Sequence, residues 1–183
     1  MATIEEARRW HEEGKERYRR GDFEEALEAF ATARRLFSEA GDRTGEVETL
    51  GSMGVVYVQL EEWEDARKFL EEALELCVAT EDRANQAKVL GNLGMMYARQ
   101  GEEEKAAEAY TQAVDLFREL GDRENEKAVA RQLSRLKIKQ GRLLEALGDY
   151  QEELTGEEKP GGAQKLARQL FRLLGRLTGG SEG

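Results

Sequence analysis

Apolar residues recur along this chain at i, i+3 and i+4, in long stretches separated by short glycine- and acid-rich breaks. That is the spacing of helices that bury one stripe each. Phe23, Ala26, Leu27, Phe30, Ala33, Leu36 and Phe37 predict a helix over about 23–40, stopped by Gly41-Asp42. Before it, Ala7, Trp10, Gly14 and Tyr18 fall close to one face and predict a helix over 3–19. Thr3 is its N-cap and Glu6 stands at capping-box spacing. Two further hairpins follow. One has Val47, Leu50, Met53, Gly54 and Tyr57, then Trp63, Ala66, Phe69, Leu70, Ala73, Leu74 and Cys77. The other has Val89, Leu93, Gly94 and Tyr97, then Ala106, Ala109, Tyr110, Ala113 and Phe117. A fourth has Ala130, Leu133 and Leu136, then Leu143, Leu144, Ala146, Leu147 and Tyr150. The breaks are too short for anything but antiparallel helix pairs.

The hairpins repeat with a step of forty residues. Leu90-Gly91-Asn92-Leu93-Gly94-Met95-Met96-Tyr97 returns as Leu50, Met53, Gly54 and Tyr57, and more weakly as Ala130, Leu133 and Ser134. Gly41-Asp42-Arg43, Glu81-Asp82-Arg83 and Gly121-Asp122-Arg123 keep the same step. Gly14, Gly54 and Gly94 share one repeat position, and Ala26, Ala66, Ala106 and Ala146 another. Small residues at fixed positions let helix axes approach closely. A single hairpin cannot bury both of its apolar faces, so the hairpins are expected to stack into an array.

This pattern resembles the tetratricopeptide repeat over residues 3–154, with repeats at about 3–40, 43–80, 83–120 and 123–154. The Leu-Gly-Asn-Leu-Gly string and the Gly-Asp-Arg loops are similar to the forty-residue-period variant of Pins-type adaptors and bacterial regulators. The usual period is thirty-four, and the proline that normally closes each repeat is absent. The first and fourth copies carry polar residues (Glu13, Arg17; Ser134, Lys137, Glu153) at core positions, as terminal repeats do. The resemblance implies an all-α, right-handed α-solenoid of four helix-turn-helix repeats.

After Leu154 the composition changes. Residues 155–162 read as a linker on their glycine, proline and charge content. Residues 163–178 read as an amphipathic helix with a leucine stripe, four basic residues and no acid. Such a helix can cap the open face of the last repeat, dock onto a partner or a second copy to make a homodimer, or lie on a membrane surface.

Charge narrows the function classes. The chain of 183 residues has a formal net charge of −10, which argues against nucleic acid as a partner. Its charged N-terminal stretch has no apolar run, so no signal peptide is expected. With a single cysteine, Cys77, this suits a cytoplasmic protein. Catalytic and metal chemistry find no constellation. His11 is the only histidine, Cys77 sits in an apolar register, and the glutamate runs lie at helix N-termini where the helix dipole favours them. The expectation is a non-enzymatic protein with no cofactor and no metal.

The cations are not scattered. First-helix positions opposite the core stripe carry Arg8, Lys15, Arg19, Lys88, Arg99, Arg131, Arg135 and Lys139, while the second helices carry much of the acid. In the tetratricopeptide architecture these positions line a concave groove. Its expected lining adds Ser52, Val55, Gln59, Asn92, Met95 and Gln132, with an apolar middle from Val55, Val58, Met95 and Ala98. Arg99, Arg131 and Arg135 are expected on one wall, with Lys88 nearby and Asn92 between them. The carboxylate clamp of chaperone-tail-binding relatives is not matched, because Gly51, Val55, Ala128 and Gln132 replace its other members. The function expected is an adaptor that binds an acidic, partly apolar peptide of a partner protein. The alternative is a structural assembly subunit whose groove or C-terminal helix is filled by another subunit.

Overall fold

The computed structural model describes residues 3–139. The second helix of the fourth repeat, the linker 155–162 and the helix expected over 163–178 lie outside the described residues. Among those described, seven helices follow one another: α1 (Ile4–Arg20), α2 (Phe23–Ala40), α3 (Arg43–Gln59), α4 (Trp63–Ala79), α5 (Arg83–Gln100), α6 (Glu103–Leu120) and α7 (Arg123–Lys139). There is no strand among them. The result is an all-α helical repeat solenoid.

Local chemistry sets the helix bounds. Thr3 Oγ1 accepts from the Glu6 N–H at 3.1 Å and starts α1. Asp42, Asp82 and Asp122 do the same for the N–H groups of Gly45, Asn85 and Asn125, at 3.0, 3.0 and 3.1 Å. The helices stop where one residue takes a left-handed conformation. Gly21, Gly41, Gly101 and Gly121 do this at φ of 87°, 72°, 86° and 71°. After α3 and α4 the same turn falls on Glu61 and Glu81, at φ of 60° and 54°, where a side chain is strained.

Packing follows the small residues. A Cβ on Gly14 would lie 2.6 Å from the Phe30 ring, one on Gly54 2.6 Å from Leu70, and one on Gly94 2.5 Å from Tyr110. Each glycine of a first helix therefore seats a large side chain of its own second helix. Ala26, Ala66 and Ala106 are wholly buried at the matching position. The middle of the array holds the largest core, from Val47, Leu50 and Leu70 through Leu93 and Met96 to Ala113. Cys77 is buried in it as an apolar thiol, and burial pushes its pKa up to about 11.

α3 packs directly on α1 and α5 as well as on its neighbours in sequence. The second helices are bridged by longer side chains, Arg34 to Glu72 between α2 and α4, and Arg67 to Glu102 at 3.7 Å toward α6. α1, α3 and α5 thus share one side of the array.

Two face assignments differ from the sequence reading. Trp10, expected on the core stripe of α1, is 41% exposed, and its neighbour His11 is buried instead. Val58, expected on the open face, is fully buried. α3 has helices on three sides, so little of its circumference remains open.

Candidate functional site

α1, α3 and α5 enclose a groove with a cavity of about 490 Å³. Its floor is apolar: Phe30 reaches through from α2, Val47 and Val55 come from α3, and Val89 from α5. Gly51 lines it too, and its lack of a side chain brings the α3 backbone near the Asn92 amide, 3.7 Å from where a Cβ would stand. Around this floor stand Lys15, Arg19 and Lys88, against one lining carboxylate, Glu48. Lys88 Nζ donates to Asn85 Oδ1 at 2.9 Å and lies 3.9 Å from Glu48. Lys15 pairs with Glu12 at 2.7 Å, and Arg19 with Glu16 at 2.9 Å. These are exposed pairs one turn apart, worth little energy and readily exchanged for another carboxylate.

The polar groups on the walls differ in how free they are. Ser52 gives its hydroxyl proton to the Glu48 carbonyl at 2.9 Å. The Asn92 side-chain amide makes no hydrogen bond among the described residues, so a donor and an acceptor both stand open beside the apolar floor.

One end of the groove is tied by a ladder across three helices. Arg99 donates to Gln59 Oε1 at 2.9 Å and to the Val58 carbonyl at 3.3 Å. Gln59 Nε2 in turn donates to the Tyr18 hydroxyl at 3.0 Å. Gln59 and Arg99 are thereby engaged by the protein itself, at the C-terminal ends of α3 and α5.

Six residues expected in the groove are therefore brought together in the cavity: Lys15, Arg19, Ser52, Val55, Lys88 and Asn92. Gln59 and Arg99 form its tied end. Met95 is half-buried, turned into the contact of α5 with Val129 and the α6–α7 core. Arg8 lies on the outer face of α1 among Glu5, Glu6 and Trp10. Arg131, Gln132, Arg135 and Lys139 are exposed on α7, none lines the cavity, and Lys139 pairs with Glu103 at 2.8 Å. Arg99 is drawn to Gln59 and the Val58 carbonyl of α3, while Arg131 and Arg135 stand apart from the cavity lining. Lys88 and Asn92 instead face Lys15 and Arg19 of α1 across α3.

Sequence reasoning did not count His11 as a site residue, and it passed over Phe30, Val47 and Val89 as core. His11 is only 9% exposed yet lines the cavity. Its Nδ1 lies 2.9 Å from Thr49 Oγ1, and its ring meets Phe30 at 5.3 Å and Phe37 at 6.4 Å between centroids. Burial, then the Lys15 charge, hold its pKa below the usual histidine value, while Glu48 and Glu12 oppose this. The available signal was the pairing of His11 with Thr49, two polar residues each one step from an apolar stripe position.

Among the described residues no group of histidine, cysteine or acid side chains is arranged to hold a metal ion. No helix among them is long and apolar enough to cross a membrane.

The tetratricopeptide repeat family matches this chain in overlapping stretches, at residues 17–79, 45–119 and 85–159. No curated protein matches it. Several solved structures share the fold. Aspartyl phosphate phosphatase F from Bacillus subtilis is similar over 83% of this chain and 40% of its own, at 16% identity and TM-score 0.78. A Rap protein complexed with Competence and Sporulation Factor is similar over 97% of this chain and 49% of its own, at 18% identity and TM-score 0.77. A kinesin light chain protein of nearly identical repeats from Podosopora anserina is similar over 99% of this chain and 90% of its own, at 15% identity and TM-score 0.74. The chain spans less than half the length of the first two.

Proposed function

Because the chain belongs to the tetratricopeptide repeat family, we propose that it is a protein–protein interaction adaptor without catalytic chemistry of its own. It takes an acidic, partly apolar peptide segment of a partner into the groove of α1, α3 and α5. The observation that carries this reading is the composition of the groove. Three cations and an uncommitted Asn92 amide surround an apolar floor, in a chain whose net charge is −10. A peptide's carboxylates can displace Glu12, Glu16 and Glu48 from the rim cations, its backbone can pair with Asn92 through donor and acceptor together, and its apolar side chains can cover Val47, Val55 and Val89. The Rap protein complexed with Competence and Sporulation Factor, similar in fold, supports a binding role for this kind of array.

The test uses peptides selected by display against the whole protein. Reversing Lys15 and Lys88 to Glu should weaken an acidic selected peptide at least about tenfold, the worth of one or two charge-assisted contacts. Melting should stay unchanged, since both side chains are largely exposed. Reversing Arg131 and Arg135, which lie outside the cavity, should leave binding intact. The opposite pattern would move the site to α7.

A further inference from the structure

His11 is the only histidine of the chain, and its environment fixes which nitrogen holds the proton. Thr49 donates its hydroxyl proton to the Gly45 carbonyl at 2.7 Å. Toward His11 Nδ1, 2.9 Å away, the same oxygen must therefore accept. The imidazole carries its proton on Nδ1, and Nε2 is left as an acceptor. Nε2 makes no hydrogen bond among the described residues, and it is not among their sealed polar atoms, so it opens on the cavity that the ring lines. The tilted Phe30 ring and the edge-on Phe37 ring hold the imidazole in this plane.

We propose that His11 Nε2 is an acceptor subsite in the groove, selecting partner segments that present a tryptophan between carboxylates. This rests on the groove being the peptide site. A carboxylate oxygen cannot pair with a neutral Nε2, whereas an indole brings an N–H donor on an apolar body. The apolar body suits Phe30, Val47, Val55 and Val89, and the flanking carboxylates reach Lys15, Arg19 and Lys88. A side chain of similar shape without the N–H would cover Nε2 and strip it of water with no partner in exchange.

The charged groups around the ring keep it in the acceptor form at neutral pH. Burial first, then the Lys15 charge on its own helix, oppose a positive charge on the ring. Glu12 of α1 and Glu48 of α3 favour one, and α2 presents only the Phe30 and Phe37 rings. The first group outweighs the second, and the neutral ring prevails.

The experiment titrates the whole protein by calorimetry with two short peptides, acetyl-Asp-Glu-Trp-Glu-Asp-amide and the same peptide with 2-naphthylalanine for tryptophan. At pH 7.5 the tryptophan peptide should bind about fivefold more tightly, the value of one hydrogen bond to a buried acceptor. The advantage should vanish in His11→Phe at pH 7.5, and in the unaltered protein it should shrink once the pH falls below the His11 titration midpoint read from its ring resonances by NMR. If His11→Phe does not fold, the His11 ring resonances of the unaltered protein decide, because the tryptophan peptide should lower the His11 titration midpoint further than the naphthyl peptide does. Equal affinity of the two peptides at pH 7.5, with both weakened by Lys15→Glu/Lys88→Glu, would sink the subsite and leave the groove standing. No binding of either peptide would overturn the subsite, and display-selected peptides that fail to compete at Lys15 and Lys88 would overturn the groove as well. An advantage that survives in His11→Phe, or the same His11 titration midpoint in both complexes, would place the indole contact away from His11.

Discussion

Two glycines three residues apart in α5 should respond to the same substitution with opposite signs. In an exposed or roomy helical position, Gly→Ala stabilises by about 0.8–1.0 kcal/mol through backbone entropy alone. Gly91 offers that room, since a Cβ there would meet Val129 Cγ2 at 3.6 Å, an ordinary contact. At Gly94 a Cβ would stand 2.5, 2.7 and 2.9 Å from three carbons of the Tyr110 ring. The ring cannot swing aside cheaply, because Tyr110 is 5% exposed and packed with Ala106, Leu133 and Leu136. Overpacking of this kind costs about 1–3 kcal/mol. The net for Gly94→Ala is then a loss of up to about 2 kcal/mol once the propensity gain is subtracted. Gly91→Ala should raise the melting temperature by about 2–4 °C and Gly94→Ala should lower it, by up to about 4–8 °C. Urea unfolding followed by far-UV circular dichroism measures both on one scale. If both variants shift the midpoint upward, the α5–α6 contact is loose and the reasoning about close approach fails.

Glu81→Gly should stabilise the array by about 1 kcal/mol by removing a side chain from a left-handed backbone position, and an unchanged urea midpoint would show the strain to be absent. Gln100 stands forty residues after Leu60, and its Oε1 is buried without a partner among the described residues. Gln100→Leu should therefore stabilise the protein by about 1–2 kcal/mol and raise the urea midpoint, and a fall would mean that the carbonyl is satisfied by water. The Cys77 thiol, buried and raised to about 11, should resist a thiol reagent at pH 8 in the native protein and react at once in urea. Native reaction at the unfolded rate would refute its burial. His11 is held below the ordinary pKa of 6.5, so the neutral ring contributes stability that is full above that value. That contribution is lost as pH falls through the lower folded value, so the unaltered protein should lose stability below pH 6.5 while His11→Phe stays level across the same window.

The repeat and its helices were legible because they rest on local chemistry that recurs. The forty-residue step, the Gly14, Gly54 and Gly94 contacts and the Asp42, Asp82 and Asp122 caps are each fixed within one hairpin. The fate of open-face residues is decided between hairpins, and there the reading failed in instructive places. Trp10 and His11 are adjacent on α1, and the choice between them depends on Thr49 arriving from α3 to satisfy an imidazole. Val58 looked open because an amphipathic reading assigns each helix one buried stripe, whereas α3 is enclosed by α1, α2, α4 and α5. Arg131 and Arg135 share the repeat register of the groove, whereas the cavity takes its lining from α1, α2, α3 and α5.

The Tyr18–Gln59–Arg99 ladder has a mechanical consequence. It fastens the C-terminal ends of α1, α3 and α5 at two contacts of 3.0 and 2.9 Å, with a third bond of 3.3 Å to the α3 backbone. Toward the other end, the charge contact between α3 and α5 is Lys88 to Glu48 at 3.9 Å, between two exposed side chains. The spacing there is held from inside instead, by Val47, Leu50, Val89 and Leu90 in the core and by His11 with Thr49, so polar ties brace one mouth of the groove and buried contacts the other.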